Sequence, residues 1–281
     1  MKKSTYFSYF FLCFILIFFL SYGSGFSENK KPSVSFKLTG AVNFISPEDV
    51  NTATQGWSKL NSEVFLSSLN QEGEIESLNM GFDAGGEIIF QFSRHLGVGI
   101  GAGYIHAARN SKAEFSNGIL KIMRSKPIIS AVPVKLGLYY FLPVGDRLNT
   151  YINAGPAFYF VNFDHKWNID ESLVRNQSTS SSGLGFHGAL GLEYQLTSRL
   201  SLLIEGSGRY CKMSGFEGNS SGNEGASTFS MDGTLYYVEF STFPDPVMYI
   251  KEEFPSSFKS ARQAEIDLSG IAIRGGLKIR F

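Results

Sequence analysis

The stretch GIAIRGGLKIRF, residues 270–281, alternates between two kinds of residue. From Ile271 onward every second residue is Ile, Gly, Leu or Phe, and Arg274, Lys278 and Arg280 lie between them. A period of two places successive side chains on opposite faces of a β-strand. The stretch therefore predicts a strand with one apolar face and one basic face, and its last residue is an aromatic one.

Seven further stretches show the same alternation. They are residues 33–44, 80–92, 96–104, 128–142, 151–160, 183–196 and 200–210. In these registers the apolar faces carry no charged residue, although charged residues make up 18% of the chain. The opposite faces carry ten charges and many glycines. The pattern predicts an all-β protein with eight two-faced strands.

The lengths of the connections separate a soluble sandwich from a membrane barrel. Long connections alternate with short turns such as residues 93–95, 143–150 and 197–199. Outer-membrane barrels alternate in this way, with short periplasmic turns and long external loops, and they turn their apolar faces to lipid. We therefore expect a closed antiparallel eight-stranded transmembrane β-barrel, built as an up-and-down meander. Its external loops are predicted at residues 46–79, 107–127, 164–182 and 213–264.

The first residues predict export. A short basic start, MKK, precedes an uncharged apolar run at residues 6–20, and small residues follow at 23, 25 and 27. This is the pattern of a cleaved signal peptide, and the run is shorter than the roughly 20 residues of a membrane-spanning helix. We expect a signal peptide at residues 1–27 and the barrel at residues 28–281. Cleavage removes Cys13 and leaves Cys211 without a disulfide partner.

At this point the sequence resembles the small bacterial outer-membrane β-barrels, which include opacity-like proteins and the transmembrane domain of outer membrane protein A. The resemblance covers about residues 33–45, 80–212 and 264–281, and VPVKLGLYYFLP (132–143) and GFHGALGLEYQLTSRLSLLIEG (185–206) look like hairpins of that family. The terminal GLKIRF matches the family's carboxy-terminal assembly signal through Leu277, Ile279 and Phe281. The resemblance implies residence in the cell outer membrane and recognition of this strand by the barrel-assembly machinery.

The inward faces of the predicted barrel carry both signs of charge. The residues are Lys37, Asp83, Glu87, Lys135, His187, Glu193, Glu205, Arg209, Arg274, Lys278 and Arg280. Eight strands enclose only enough space for side chains to fill. Charges in so narrow a lumen need partners or water, so we expect a structural network of salt bridges that fills the barrel. A polar conduit and a catalytic cluster are the alternatives.

Two local features qualify the strand assignments. Pro133 and Pro156 fall inside predicted strands, where each removes a hydrogen-bond donor from the ladder, so we expect bulges or local breaks there. Residues 231–253 predict two short strands around FPDP, and we expect an external hairpin because their alternation is too mixed for a membrane span.

The sequence indicates less about function than about fold. Basic and acidic residues balance at 25 each, which gives no nucleic-acid footprint. The sequence lacks a phosphate-binding loop, a metal-spaced Cys or His cluster and a GxSxG motif, so we predict no cofactor, no metal and no enzymatic activity. We expect a monomer in outer-membrane lipid with a structural or surface-interaction role and an external ligand at the loops. A narrow pore or hydrophobic-solute conduit is the alternative, and a lipid-modifying enzyme of the outer membrane is a third class.

Overall fold

The computed structural model describes residues 32–65, 70–116, 120–170, 173–225, 227–241, 243, 245–254 and 258–281. The segment expected to be the signal peptide, residues 1–27, lies outside the described residues, and so does Cys13. Cys211 is a buried free thiol.

One long helix and many strands make up the described chain. In order they are β1 Ser33–Ile45, α1 Glu48–Phe65, β2 Asn70–Glu72, β3 Met80–Gln91, β4 Leu96–Ala108, β5 Ser111–Ser116, β6 Leu120–Pro143, β7 Leu148–Ile169, β8 Leu173–Gln195, β9 Leu200–Tyr210, β10 Lys212–Met213, β11 Glu217–Glu224, β12 Ser227–Glu239, β13 Val247–Lys251, β14 Ser260–Gln263, β15 Ile266–Asp267 and β16 Gly270–Arg280. Fourteen strands form one sheet, and β10 pairs with β15 in a second one.

Eight of these strands follow one another in an antiparallel circuit. The order is β1, β3, β4, β6, β7, β8, β9 and β16, and β16 pairs back onto β1. Each of the eight predicted stretches lies in one of these strands. Every strand has a partner on both sides, so most backbone donors and acceptors along the wall are paired, which suits a lipid environment.

The two faces of the wall have the predicted directions. Large apolar side chains point away from the circuit and are exposed, as Leu136 (50%) and Leu190 (62%) illustrate. The charged positions between them point inward, and Lys278 of β16 is only 3% exposed. The apolar face of the terminal strand is therefore its outer face, and its basic face lines the interior.

The prolines interrupt the ladder without shifting it. Between β4 and β6 the pairing stops at Ala102↔Val134 and resumes at Ile105↔Ala131, so the gap contains Pro133. Between β6 and β7 it stops at Lys135↔Ala157 and resumes at Leu138↔Ala154, so the gap contains Pro156. Both interruptions keep the register, so they are local breaks and not bulges.

The stretches expected to be loops are largely folded, and the structure differs here from a plain eight-stranded meander. β7 and β8 extend far beyond the wall and pair as far as Ile169↔Leu173, so residues 164–182 are mostly strand. The helix α1 occupies much of 46–79, β5 and the first part of β6 fill 107–127, and β11 to β15 lie within 213–264. We call this assembly of α1, β2, β5, β10 to β15 and the projecting ends of β6 to β8 the outer extension.

The sequence pattern did not predict the outer extension, because its strands lack the alternation that marks the strands of the wall. Above Phe160 the outward side of β7 turns polar, with Asn162, Asp164 and Lys166, so the apolar alternation that marks a lipid-facing strand ends there. The expected hairpin at 231–253 does form, as β12 paired with β13. It joins the sheet through β11 and β8, so it lies outside the eight-strand circuit.

The helix α1 is amphipathic and packs inward over the extension. Val50, Ala53 and Trp57 recur at helical spacing and are buried. Its first turn is held by Asp49, whose carboxylate accepts hydrogen bonds from Arg262 (2.7 Å) and from the Glu265 backbone (2.8 Å). Among the described residues, no helix has the length and apolar character needed to cross a membrane.

Candidate functional site

The interior of the eight-strand circuit brings most of the predicted charges into contact. Lys37 of β1 lies at its centre, with its ammonium 2.9 Å from Glu87 and 3.2 Å from Glu205. It also donates to the Tyr139 hydroxyl at 2.6 Å, and that hydroxyl donates to Glu87 at 2.7 Å. The Lys37 side chain on β1 thus links three other strands of the circuit, β3, β6 and β9.

Arg274 of β16 bridges Glu205 and one further carboxylate, that of Asp83. Its Nε and Nη2 atoms each lie 3.2 Å from an oxygen of Asp83, and its Nη1 donates to Glu205 at 2.9 Å. Tyr151 donates to the second oxygen of Glu205 at 2.9 Å. A bidentate pair of this kind fixes geometry as well as charge. Glu205, with its side chain only 1% exposed, is therefore saturated by two cations and a hydroxyl.

A second layer surrounds Glu193, nearer the short turns. Lys278 lies 2.8 Å from one carboxylate oxygen, and Arg280 lies 3.4 Å from the other. Ser201 donates to Glu193 at 2.8 Å. Below this layer the lumen widens into a vestibule of about 390 Å³, which Arg94, Asp146 and Arg280 help to line.

Aromatic side chains fill the space between the two charged layers. Tyr139, Phe141 and Tyr151 pack with Ile89 and Leu203 in one buried cluster. The Tyr139 and Phe141 rings stack with centroids 5.5 Å apart. Sequence reasoning missed both tyrosines as members of the network. Their parity was the available signal, because Tyr139 shares the inward face of β6 with Lys135, and Tyr151 shares the inward face of β7 with the buried Asn153.

The outer end of the lumen is closed by an apolar core. It contains residues from the wall, from α1 and from the outer extension, and is continuous across them. Examples are Val50, Ile105, Phe163, Phe216 and Leu235, all nearly inaccessible to solvent. Interiors packed in this way leave few voids larger than a water molecule, so the core leaves little open space at this end of the lumen.

Three of the predicted luminal residues lie at the edge of the ion-pair network. Arg209 donates its Nε to the Leu268 carbonyl at 2.6 Å and approaches Asp83 only to 3.7 Å. Among the described residues, Lys135 has no carboxylate oxygen within 4.0 Å. His187 has a buried Nδ1 without a hydrogen-bond partner. These three side chains line one small cavity.

The predicted assembly signal has the expected outward face. Leu277 and Ile279 are exposed on the outside of β16, and Phe281 follows the strand with 79% of its surface exposed. Its backbone still pairs, because the Phe281 amide donates to the Val34 carbonyl at 2.9 Å.

The outer extension contains its own aromatic cluster. Trp57 of α1 lies 5.2 Å from Trp167 of β7 and 5.1 Å from Tyr249 of β13, measured between ring centroids. The Arg175 guanidinium lies over the Trp57 ring (5.1 Å) and over the Tyr249 ring (4.9 Å). Cation–π contacts of this kind are strengthened when the cation is desolvated. The cluster ties the helix to the projecting strands.

A Ser–His pair lies beside this cluster, but its surroundings are those of a packed interior. The Ser125 hydroxyl is 2.9 Å from His165 Nε2, and His165 is 1% exposed. Burial lowers the pKa of His165 from 6.5 to about 4. No cluster of three or more His, Cys, Asp or Glu residues suited to a metal occurs within the described part of the chain.

Acid should loosen the outer extension through His165. Because the folded state lowers this pKa, folding favours the neutral ring; stability is complete above about pH 6.5 and falls as pH drops toward 4. At pH 5.5 the expected loss is on the order of 1 kcal/mol, a several-fold rise in local opening. Hydrogen exchange of β7 and β8 amides at pH 7.5 and 5.5 measures it.

The matched variant for this measurement is His165→Gln, which keeps a polar group beside Ser125 but does not titrate. Its exchange, corrected for the intrinsic pH dependence, should be the same at both pH values. An equal acid response in the variant and the natural chain would assign the effect to other groups.

Comparisons with known proteins accord with this geometry. The sequence matches the outer membrane protein beta-barrel domain over residues 26–220. A search of curated proteins finds no match.

Three solved structures are similar to the chain at low sequence identity. The outer membrane protein OprG from Pseudomonas aeruginosa is 11% identical, with 89% of this chain and 97% of that chain covered and a TM-score of 0.40. A major outer membrane protein from Thermus thermophilus is 13% identical, with 88% and 99% covered and a TM-score of 0.43. Ail, the attachment invasion locus protein of Yersinia pestis, is 12% identical, with 90% and 100% covered and a TM-score of 0.36.

The family match spans well over half of the chain, and the wall has lipid-facing apolar sides around a charged interior. The chain is therefore a bacterial outer-membrane protein that belongs to the outer membrane protein beta-barrel domain family.

Proposed function

We propose that the protein is a closed eight-stranded transmembrane β-barrel, exported with a cleaved signal peptide, that has a structural or surface-interaction role and displays a folded outer extension. The observation that carries this proposal is the double obstruction of the lumen. The salt-bridge layers with their tyrosines fill the middle, and the apolar core closes the outer end. A barrel whose lumen is filled in this way is suited to anchoring the outer extension at the cell surface.

The partners follow from the same arrangement. Outer-membrane lipid contacts the apolar belt, and the barrel-assembly machinery recognises the terminal strand through Leu277, Ile279 and Phe281. An external ligand would contact the outer extension, which carries most of the chain beyond the wall. We propose a monomer, because every strand of the eight-strand circuit pairs with a neighbour on each side over most of its length.

Conductance of the purified full-length protein in a planar lipid bilayer tests the sealed lumen. We expect no steps above the bare bilayer in 1 M salt, a concentration that screens charges beyond about 3 Å. Tyr151→Ala, which removes a ring from the aromatic layer, should remain closed because the outer apolar core is untouched. Regular conductance steps from the natural chain would refute the sealed barrel and favour the pore.

The hydrophobic-solute conduit is the second candidate, and one seam in the wall favours it. β8 pairs with β11 up to Ser180 and with β9 from Phe186, so Ser181 to Gly185 lack a ladder partner on that side. A groove of about 690 Å³ lies there, lined by Phe160, Ser182 and Gly215 among others. Its lining is largely polar, which suits an apolar solute poorly, so the seam ranks behind the sealed barrel. An enzyme of the outer membrane ranks third.

A further inference from the structure

The small cavity between the salt-bridge network and the outer apolar core has an unusual charge balance. Its polar lining consists of Lys135, Arg209, Arg274, His187, Tyr159 and Ser207. Three of these side chains are cationic, and no carboxylate lines the cavity. Arg209 and Arg274 pair with carboxylates that lie outside the cavity lining, whereas Lys135 has no such pair among the described residues.

The surrounding network leaves one positive charge uncompensated. Four cations lie in this layer, Lys37, Lys135, Arg209 and Arg274, against three carboxylates, Asp83, Glu87 and Glu205. Four minus three gives a net charge of +1. Lys135 is the member that forms no ion pair among the described residues, and its side chain is half-buried on the inward face of β6. A partly desolvated charge without a partner is costly, so the arrangement favours an anion.

Two buried nitrogen atoms beside the cavity also indicate that it holds an occupant. Arg209 Nη2 and His187 Nδ1 are both buried and without a hydrogen-bond partner among the described residues. The Arg209 side chain is only 5% exposed, and its Nε and Nη1 atoms are already directed to Leu268 and Asp83. Buried polar groups in native structures are nearly always satisfied, so a donor left free beside a cavity indicates an occupant.

The size of the cavity limits what that occupant can be. Its volume is about 10 Å³, which is room for roughly one water-sized body. Phosphate, sulfate and carboxylate groups are too large for it. A halide ion is slightly larger than water, and the flexible lysine side chain can yield to it.

We propose that this cavity is a binding site for a single small monovalent anion of the size of chloride. Lys135, Arg209 and Arg274 supply the charge, Arg209 Nη2 supplies a direct donor, and His187 supplies a second donor when its proton is on Nδ1. The anion completes the luminal network by neutralising its excess charge. It thereby makes the stability of the filled barrel depend on halide.

Bromide gives the decisive readout, because it replaces chloride and scatters X-rays anomalously. Crystals of the full chain grown with sodium bromide should show an anomalous peak among Lys135, Arg209 and Arg274. Density there without an anomalous signal would mean a water molecule, and an empty cavity would mean no occupant. Either result overturns the proposal.

Thermal unfolding in detergent supplies an independent measurement in solution. At constant ionic strength, the unfolding midpoint should rise as chloride replaces gluconate, because a ligand that binds only the folded state stabilises it. Lys135→Met should weaken the apparent halide affinity by about tenfold or more, since it removes a charged partner. Lys126→Met, an exposed lysine on the same strand, is the matched control and should keep the chloride response.

Each outcome of the solution experiment either supports the halide site or contradicts it. A chloride response lost in Lys135→Met and kept in Lys126→Met supports the site. A response equal in the natural chain and both variants would be a general salt effect and would contradict it. If Lys135→Met fails to fold in gluconate and chloride alike, the bromide peak in the natural chain remains the test.

Discussion

Replacement of Glu205 by alanine is expected to lower the free energy of unfolding by about 3–5 kcal/mol, the usual cost of removing one partner from a buried ion pair. The reason is the number of groups that this carboxylate satisfies. Lys37 and Arg274 both lose a charge partner, and the Tyr151 hydroxyl loses its acceptor. Equilibrium unfolding in urea, in phospholipid vesicles, measures the change. Glu217→Ala, at an exposed position, is the control and should cost little.

Substitutions in the second charged layer, around Glu193, separate the effect of charge pairing on stability from the effect of side-chain packing. Lys278 has Glu193 as its partner at 2.8 Å, so Glu193→Ala and Lys278→Ala each leave a buried charge behind. The double variant removes both charges, and its cost should be smaller than the sum of the two single costs. Additive costs, together with conductance that rises as charges are removed, would refute the network and support a water-filled pore.

An arginine at Leu136 or Leu190 is expected to cost about 2–4 kcal/mol and to impair insertion into lipid, because a charge near the bilayer midplane has no favourable surroundings. Both leucines are at least half exposed on the outward face of the wall. Asn162→Arg is the matched control, since it lies on the same outward side above the apolar belt. The yield of heat-modifiable folded barrel on gels reports the effect. Normal yields for both leucine variants would mean that this face does not contact lipid.

The two largest effects thus test opposite faces of the same wall. Glu205 belongs to the inward face of β9, and the leucines belong to the outward faces of β6 and β8. In a soluble sandwich the first substitution would be mild and the second would place a charge in the core. In a membrane barrel both are damaging, but only the second acts through lipid.

Local pattern was sufficient for the wall. A period of two decides which side chains share a face, so the charges at Lys37, Glu193 and Lys278 could be assigned to the interior from sequence alone. The same parity placed Leu136 and Leu190 outside. Even the ladder breaks at Pro133 and Pro156 followed from the missing backbone donor, which is a property of the residue itself.

The outer extension could not be read in this way, for a physical reason. Its strands have neither lipid on one side nor a polar lumen on the other, so their alternation is mixed, and the helix α1 has no counterpart in the pattern of the wall. What stabilises them is contact between distant segments, such as Trp57 with Trp167 and Asp49 with Arg262. No local sequence window contains both members of such a pair.

By itself the sequence determined the faces, the strand positions and the kind of membrane that the wall suits, because these depend on periodicity and on the cost of charge in lipid. Only the tertiary structure decided which charges meet. Strand register sets Arg274 opposite Glu205 and leaves Lys135 facing a cavity with Arg209. Register and barrel geometry are properties of the whole closed circuit, because each strand's position is fixed by both neighbours at once.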